Sequence, residues 1–250
     1  MDDRNLMRTR ILSTIPINSI NERTQKPYSM GSGCFVNYKG CLLFLTVFHT
    51  VQAETNITHG IVVDYNLEKG GTCLCEIDDF CVCAMGNILT QKIDRVDFAM
   101  KKFATPMPPC KYLINKNDKG EFERIDRISL TSDFSILPTI HEKYGFCGLI
   151  KGKLIKNEEV LGLHSTLAYY DNAHYLKSEQ SYHIFALENK GYSHEDFKGT
   201  SGAPIIDSKG NLVSLVMSGG PSKANSNEWL IYGVNLSKLL PVIDINCGLI

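Results

Sequence analysis

The sequence predicts an all-β protein, a sandwich or a barrel, on three observations. Short runs rich in Val, Ile, Phe, Tyr and Thr recur along the chain, turn signals separate them about every ten residues, and long helical periodicity is scarce. With 250 residues, 43% of them hydrophobic, the chain can bury a substantial core as one large domain or two small ones.

In chain order, the first dozen residues hold one of the two convincing helical stretches. The apolar runs "GCFVNYKGCLLFLTVFH" and "GIVVDYNLEKGGTCLCEIDDFCVCAM" follow as strands. The segment "LINKNDKGEFERIDRISLTSD" is the most polar long stretch, and it places a boundary near residue 130 between two β units, 1–130 and 131–250. Beyond it come the strand runs "YGFCGLIKGKLI" and "GAPIIDSKGNLVSLVM", then a short helix near Ser237 to Val242. The turns "NYKG", "NKGY" and "DSKG" suit hairpins, because Asn, Asp and Gly tolerate the positive φ that tight turns demand.

The net charge of −1 supplies no basic field, so neither a nucleic-acid partner nor an anionic membrane surface is expected, and Lys101-Lys102 reads as a solvated face. No stretch approaches the roughly 18 apolar residues of a membrane span. The N-terminus puts acids first and lacks the apolar core of a secretory signal, which points to a cytoplasmic protein. Nine cysteines, an odd number, fit reduced thiols better than a disulfide framework, and the glycosylation matches at Asn56 and Asn235 mean little without secretion.

Chemistry is suggested by "KGTSGAP", where Ser201 stands between glycines ahead of an apolar strand. A serine hydroxyl is a poor nucleophile at neutral pH and needs a histidine base oriented by a carboxylate. The order Ser, Asp, His is impossible, because the last histidine, His194, precedes Ser201, and the elbow G-x-S-x-G fails at Ala203. An Asp-first order leaves only Asp2 and Asp3 ahead of His49. His, Asp, Ser remains.

For that order the chain has "FLTVFH" ending at His49, "RVDFAMKKF" with Asp97 among alternating apolar residues, and "FKGTSGAPIID" with Ser201. In these motifs, and in "NLVSLVMSGG" and "IYGVNL" downstream, it resembles the trypsin/chymotrypsin-like serine proteases, in particular the disulfide-free intracellular and HtrA-type branches. The resemblance covers about residues 30 to 240. It implies two antiparallel six-stranded Greek-key β-barrels, with His49 and Asp97 on the first and Ser201 on the second. Asp94 is the rival carboxylate but lacks the apolar-Ala-apolar sequence that follows Asp97. The other histidines carry no motif and read as surface or core residues.

The resemblance implies an endopeptidase working on a protein or peptide substrate without a cofactor, with the N–H groups of Gly199 and Ser201 as the oxyanion hole. It puts Glu195 at the floor of the primary specificity pocket, favouring Arg or Lys, and Met217, Ser218 and Gly219 along its wall. The alternative in "HEDFKG" is a solvated Glu195 or one paired with Lys198. Thr200 stands where zymogens of the family carry an activating aspartate, so activation by propeptide removal is not expected, and any control falls to a separate regulatory or targeting protein, a ligand or the ordering of a loop. A catalytically silent binding module of the same fold is the main alternative, and hydrolysis of a non-peptide ester or amide is a third. Finally, "GTCLCEIDDFCVCAM" would, as a hairpin, face Cys75 with Cys81 and Cys73 with Cys83. Small buried residues on a barrel strand explain these thiols better than a zinc site does, so no metal is assigned.

Overall fold

The computed structural model describes the chain apart from residues 1, 25, 53, 67–70, 88–91, 104–109, 116–121 and 157–160. Helix α1 (Asp3–Ser13) starts at Asp2, whose carboxylate accepts the N–H of Asn5 at 2.8 Å and so satisfies one of the free donors of the first turn. The N-terminal half then runs through β1 (Ile15–Asn21), β2 (Lys26–Tyr38), β3 (Cys41–Thr46), β4 (Ile57–Asn66), β5 (Gly71–Glu76), β6 (Cys81–Asn87) and β7 (Lys92–Phe103). The pair β8 (Lys111–Asn115) and β9 (Phe122–Asp126) and the short β10 (Leu130–Thr131) follow. The C-terminal half contains β11 (Lys143–Lys156), β12 (Leu161–Glu179), β13 (Tyr182–Glu188), β14 (Pro204–Asp207), β15 (Leu212–Pro221), β16 (Glu228–Val234) and helix α2 (Leu240–Cys247).

The strands form two units. In the first, the hydrogen-bonded order is β5-β4-β1-β2-β3-β7-β6, with β10 added in parallel beside β2. The second is a closed barrel in the order β11-β12-β13-β16-β15-β14. Together they make the mostly-β, chymotrypsin-like double-barrel architecture. Closure of the second unit removes its free strand edges, and alternation along each strand sends one face inward. Of the three turns expected to close hairpins, two do, between β2 and β3 and between β14 and β15, whereas the Asn189–Tyr192 turn leads from β13 to the His194–Asp196 turn because β13 pairs with β12 and β16. Lys39 (φ 46°) and Gly40 (φ 83°) join β2 to β3 as a two-residue hairpin loop, Asn189 accepts from the N–H groups of Gly191 and Tyr192, and Asp207 accepts from those of Lys209 and Asn211.

One core runs from half to half. Val36, Tyr38, Leu45 and Phe98 of the first unit pack with Ile206, Leu215, Val234 and Ile243 of the second. Helix α2 reinforces the join: Tyr38 donates to Asp244 at 2.6 Å, and Lys39 pairs with the same carboxylate at 3.1 Å. Helix α1 docks on the second unit through Arg10, which is buried and donates to the Tyr169 hydroxyl (2.8 Å) and the Ile206 carbonyl (3.2 Å).

The four-cysteine stretch departs from the hairpin arrangement. β5 pairs with β4, so Cys73 lies opposite Asp64 and Cys75 opposite Ile61, whereas β6 pairs with β7 and Cys81 lies opposite Met100. The physical reason is that Ile77 is buried and its N–H donates to the His59 carbonyl, which carries the chain away from a turn at that point. Among the described residues no group of three or more His, Cys, Asp or Glu is placed to hold a metal. Also among the described residues, no helix is long and apolar enough to cross a membrane.

Candidate active site

His49 sits in a short 3₁₀ turn, Phe48–Thr50, directly after β3. The turn is set by burial on both sides: Thr46 and Val47 are inaccessible, which leaves Phe48 and His49 to face outward. Asp97 lies on β7 between buried Val96 and Phe98, so the strand's alternation turns its carboxylate away from that core. The two residues meet twice. Asp97 Oδ1 accepts the backbone N–H of His49 at 2.9 Å, and Oδ2 lies 2.7 Å from His49 Nδ1. An ionised carboxylate only accepts, so Nδ1 carries the proton and Nε2 of the neutral ring is left as the basic nitrogen. The side chain of Asp94 lies outside the described residues.

Ser201 shares a cavity of about 440 Å³ with His49 and Asp97. Among the described residues its hydroxyl makes no hydrogen bond, including none to His49. Catalytic hydrogen bonds are often long in a free enzyme and tighten when substrate binds. The loop that carries Ser201 is held by its glycines. Gly199 has φ 105°, and a Cβ there would stand 2.1 Å from the Leu149 carbonyl oxygen, while Gly202 has φ 87° and a Cβ would stand 1.9 Å from that of Ser32. Both positions combine a left-handed backbone with a close backbone neighbour, so only glycine fits. Thr200 N–H and hydroxyl both donate to the Phe197 carbonyl, at 3.0 and 2.8 Å. The N–H groups of Gly199 and Ser201 have no protein acceptor among the described residues, which leaves two adjacent donors for an oxyanion.

The remaining lining residues include Met217, Ser218 and Gly219 on β15, together with Glu195, Phe197, Val216 and Ile231. Phe197 lies parallel to Trp229, their ring centroids 5.1 Å apart, giving the cavity an aromatic wall. Glu195 reaches the lining with its side chain 70% exposed, 3.8 Å from Lys198 Nζ. A carboxylate so solvated and already near a cation exerts little pull on a basic substrate side chain. The geometry therefore favours the Lys198 pairing over a pocket-floor role.

Several contributors were not singled out from sequence. His194, one of the histidines without a motif, lines the cavity and packs edge-on to Trp229 at 5.5 Å. Ser32 on β2 donates across the two halves to the Gly199 carbonyl of the nucleophile loop, and Thr46 on β3 donates to the Ser32 carbonyl within the first half. The Gly-Ser-Gly stretch around Ser32 was the one available signal for that contact.

No protein-family model matches the chain, and no curated protein is similar to it in sequence. In three dimensions it is similar to the crystal structure of an inactivated protease paralogue of the scabies mite, S-D1, with a TM-score of 0.54 and 13% identity. The match covers 96% of this chain and 94% of that one. At such identity the likeness establishes the fold.

Proposed function

We propose that this chain is a serine endopeptidase that cleaves protein or peptide substrates through an acyl-enzyme. The observation that carries the reading is the hydrogen bond between His49 and Asp97 in the cavity that also holds Ser201, beside two unspent backbone donors. Ser201 Oγ attacks the scissile carbonyl carbon while its proton passes to His49 Nε2. Asp97 holds Nδ1–H and stabilises the imidazolium that results. The oxyanion is received by the N–H groups of Gly199 and Ser201. Collapse of the tetrahedral species breaks the C–N bond as His49 returns the proton to the leaving amine, and water then hydrolyses the ester by the same steps.

A fluorophosphonate probe tests this directly, since it reacts with an activated serine and not with an ordinary one. Labelling of the wild-type chain at Ser201 is expected, with none in Ser201→Ala, and peptide turnover in that variant is expected to fall by about 10⁶. A folded wild type that takes no label would sink the assignment. The second reading is a catalytically silent binding module. It is favoured by the absence, among the described residues, of a hydrogen bond from Ser201 to His49, and the solved relative's description as inactivated is in keeping with it.

A reducing, cytoplasmic setting is part of the proposal, supported by nine cysteines that are all unpaired. Thr200 is satisfied by Phe197 without any charged partner, which supports activity without N-terminal processing.

A further inference from the structure

We propose that Ser32, supplied by β2 of the opposite half, is the positioning residue that fixes the oxyanion-binding loop. The proposal rests on the serine-hydrolase reading above and names what holds its geometry.

Three consecutive peptide units make up the loop. The outer two carry the Gly199 and Ser201 N–H groups, and the middle one joins Gly199 to Thr200. That middle unit is pinned at both ends: its N–H donates to the Phe197 carbonyl at 3.0 Å, and its carbonyl, that of Gly199, accepts from Ser32 Oγ at 2.7 Å. The Thr200 carbonyl is occupied as well, accepting from the Ala203 N–H at 2.8 Å. A peptide unit is planar, so fixing both ends of the middle one sets its orientation, and the donors on either side can then turn only about the backbone bonds of Gly199 and Thr200. These two donors are the groups the loop leaves unspent.

Ser32 itself is held firmly. Its side chain is buried, with 1% of the residue exposed. Its backbone N–H donates to the Ser201 carbonyl at 2.7 Å, and its carbonyl accepts from Thr46 Oγ1 at 2.7 Å. Gly202, where a Cβ would stand 1.9 Å from the Ser32 carbonyl oxygen and 2.3 Å from Thr46 Oγ1, lets the two halves approach this closely. Thr46 ends β3, three residues before His49. One hydrogen-bonded path therefore runs from the strand that presents the base, through Ser32, to the loop that presents the nucleophile and the oxyanion donors.

A hydroxyl that only stabilised the fold would, when removed, lower stability and leave the chemistry of correctly folded molecules unchanged. A positioning hydroxyl slows the step in which the oxyanion forms. The test compares the wild type with Ser32→Ala by the fluorophosphonate labelling rate at Ser201, by kcat and KM on a fluorogenic peptide, and by amide exchange of residues 198–202. The expected result is a loss of at least about tenfold in labelling rate and in kcat, with KM within about twofold. Within 198–202, exchange of the hydrogen-bonded Thr200 and Gly202 amides should quicken by at least about tenfold, while that of the Phe48–Thr50 turn stays as in the wild type. Wild-type labelling and turnover in Ser32→Ala, or unchanged exchange in 198–202, overturns the proposal. If the wild type itself takes no label, the hydrolase reading falls and exchange alone decides the anchor: quickening supports it and no change overturns it. Should Ser32→Ala fail to fold, Thr46→Val, which frees the Ser32 carbonyl, is read in the same way. It is expected to shift every readout in the same direction by a smaller factor, and wild-type values in it overturn the proposal.

Discussion

At the scale of single residues, the nucleophile loop is defined by what cannot be added to it. Gly199 combines φ 105° with a carbonyl oxygen 2.1 Å from where its Cβ would be, so Gly199→Ala must displace either the loop or Leu149. Loss of one aligned oxyanion donor typically costs about 10²–10³ in rate. The Gly199→Ala chain is thus expected to take fluorophosphonate at Ser201 slower by that factor while remaining folded, and an unchanged labelling rate would remove Gly199 from the oxyanion hole. The sequence made this residue legible because a glycine two positions before a candidate nucleophile has a steric reason to be there. It did not make His194 legible. A histidine becomes a lining residue only when the turn at His194–Asp196 and the strand that carries Trp229 are brought together.

At the scale of elements, α1 behaves as a bolt on the C-terminal barrel. Arg10 is 3% exposed, its guanidinium reaches Tyr169 and Ile206, and its own carbonyl accepts from Ser13, Thr14 and Cys147. Gly145 makes room for the guanidinium, since a Cβ there would stand 2.4 Å from Arg10 Nη1. Arg10→Ala leaves buried acceptors unpaired and a void behind, and stability should drop by about 2–4 kcal/mol, read as a lower urea midpoint. A midpoint within experimental error of wild type would show that α1 is dispensable to the barrel. The helix itself was legible from the sequence, but its docking was not. An arginine on a short polar helix reads as solvated until β14 and β12 supply its acceptors. The four-cysteine stretch shows the same limit, because a local pattern compatible with a hairpin was decided by pairing with β4 and β7, strands distant from it in the chain.

At the scale of the whole molecule, one core spans both halves, and a buried titratable group makes its stability depend on pH. His183 on β13 is 1% exposed and sits 2.7 Å from the Ser178 hydroxyl, against Tyr175. Burial, with a small addition from Lys238, lowers its pKa from the usual 6.5 to about 4. The folded state therefore binds fewer protons than the unfolded chain between those values. The stability contributed is complete above pH 6.5 and is lost as pH falls through 6.5 towards 4. Urea unfolding followed by Trp229, the sole tryptophan, is expected to report about 3 kcal/mol less stability at pH 4 than at pH 7 from this group. His183→Gln should flatten that dependence, and an equal slope in both chains would assign it to other groups.

By itself the sequence determined the all-β class, the helical N-terminus, the turns at Lys39-Gly40 and Asp207–Gly210, and the His, Asp, Ser order into which motifs shared with the resembled family put His49, Asp97 and Ser201. Those features are local or ordinal: strand alternation, the left-handed backbone that glycine permits, and elimination by order. Tertiary structure alone decided that Asp97 meets His49 with both oxygens and that Ser32 reaches across to Gly199. These contacts join residues far apart in the chain. The first follows from the pairing of β3 with β7 inside the first unit and the second from how the two units pack, and neither is contained in the local pattern along the chain.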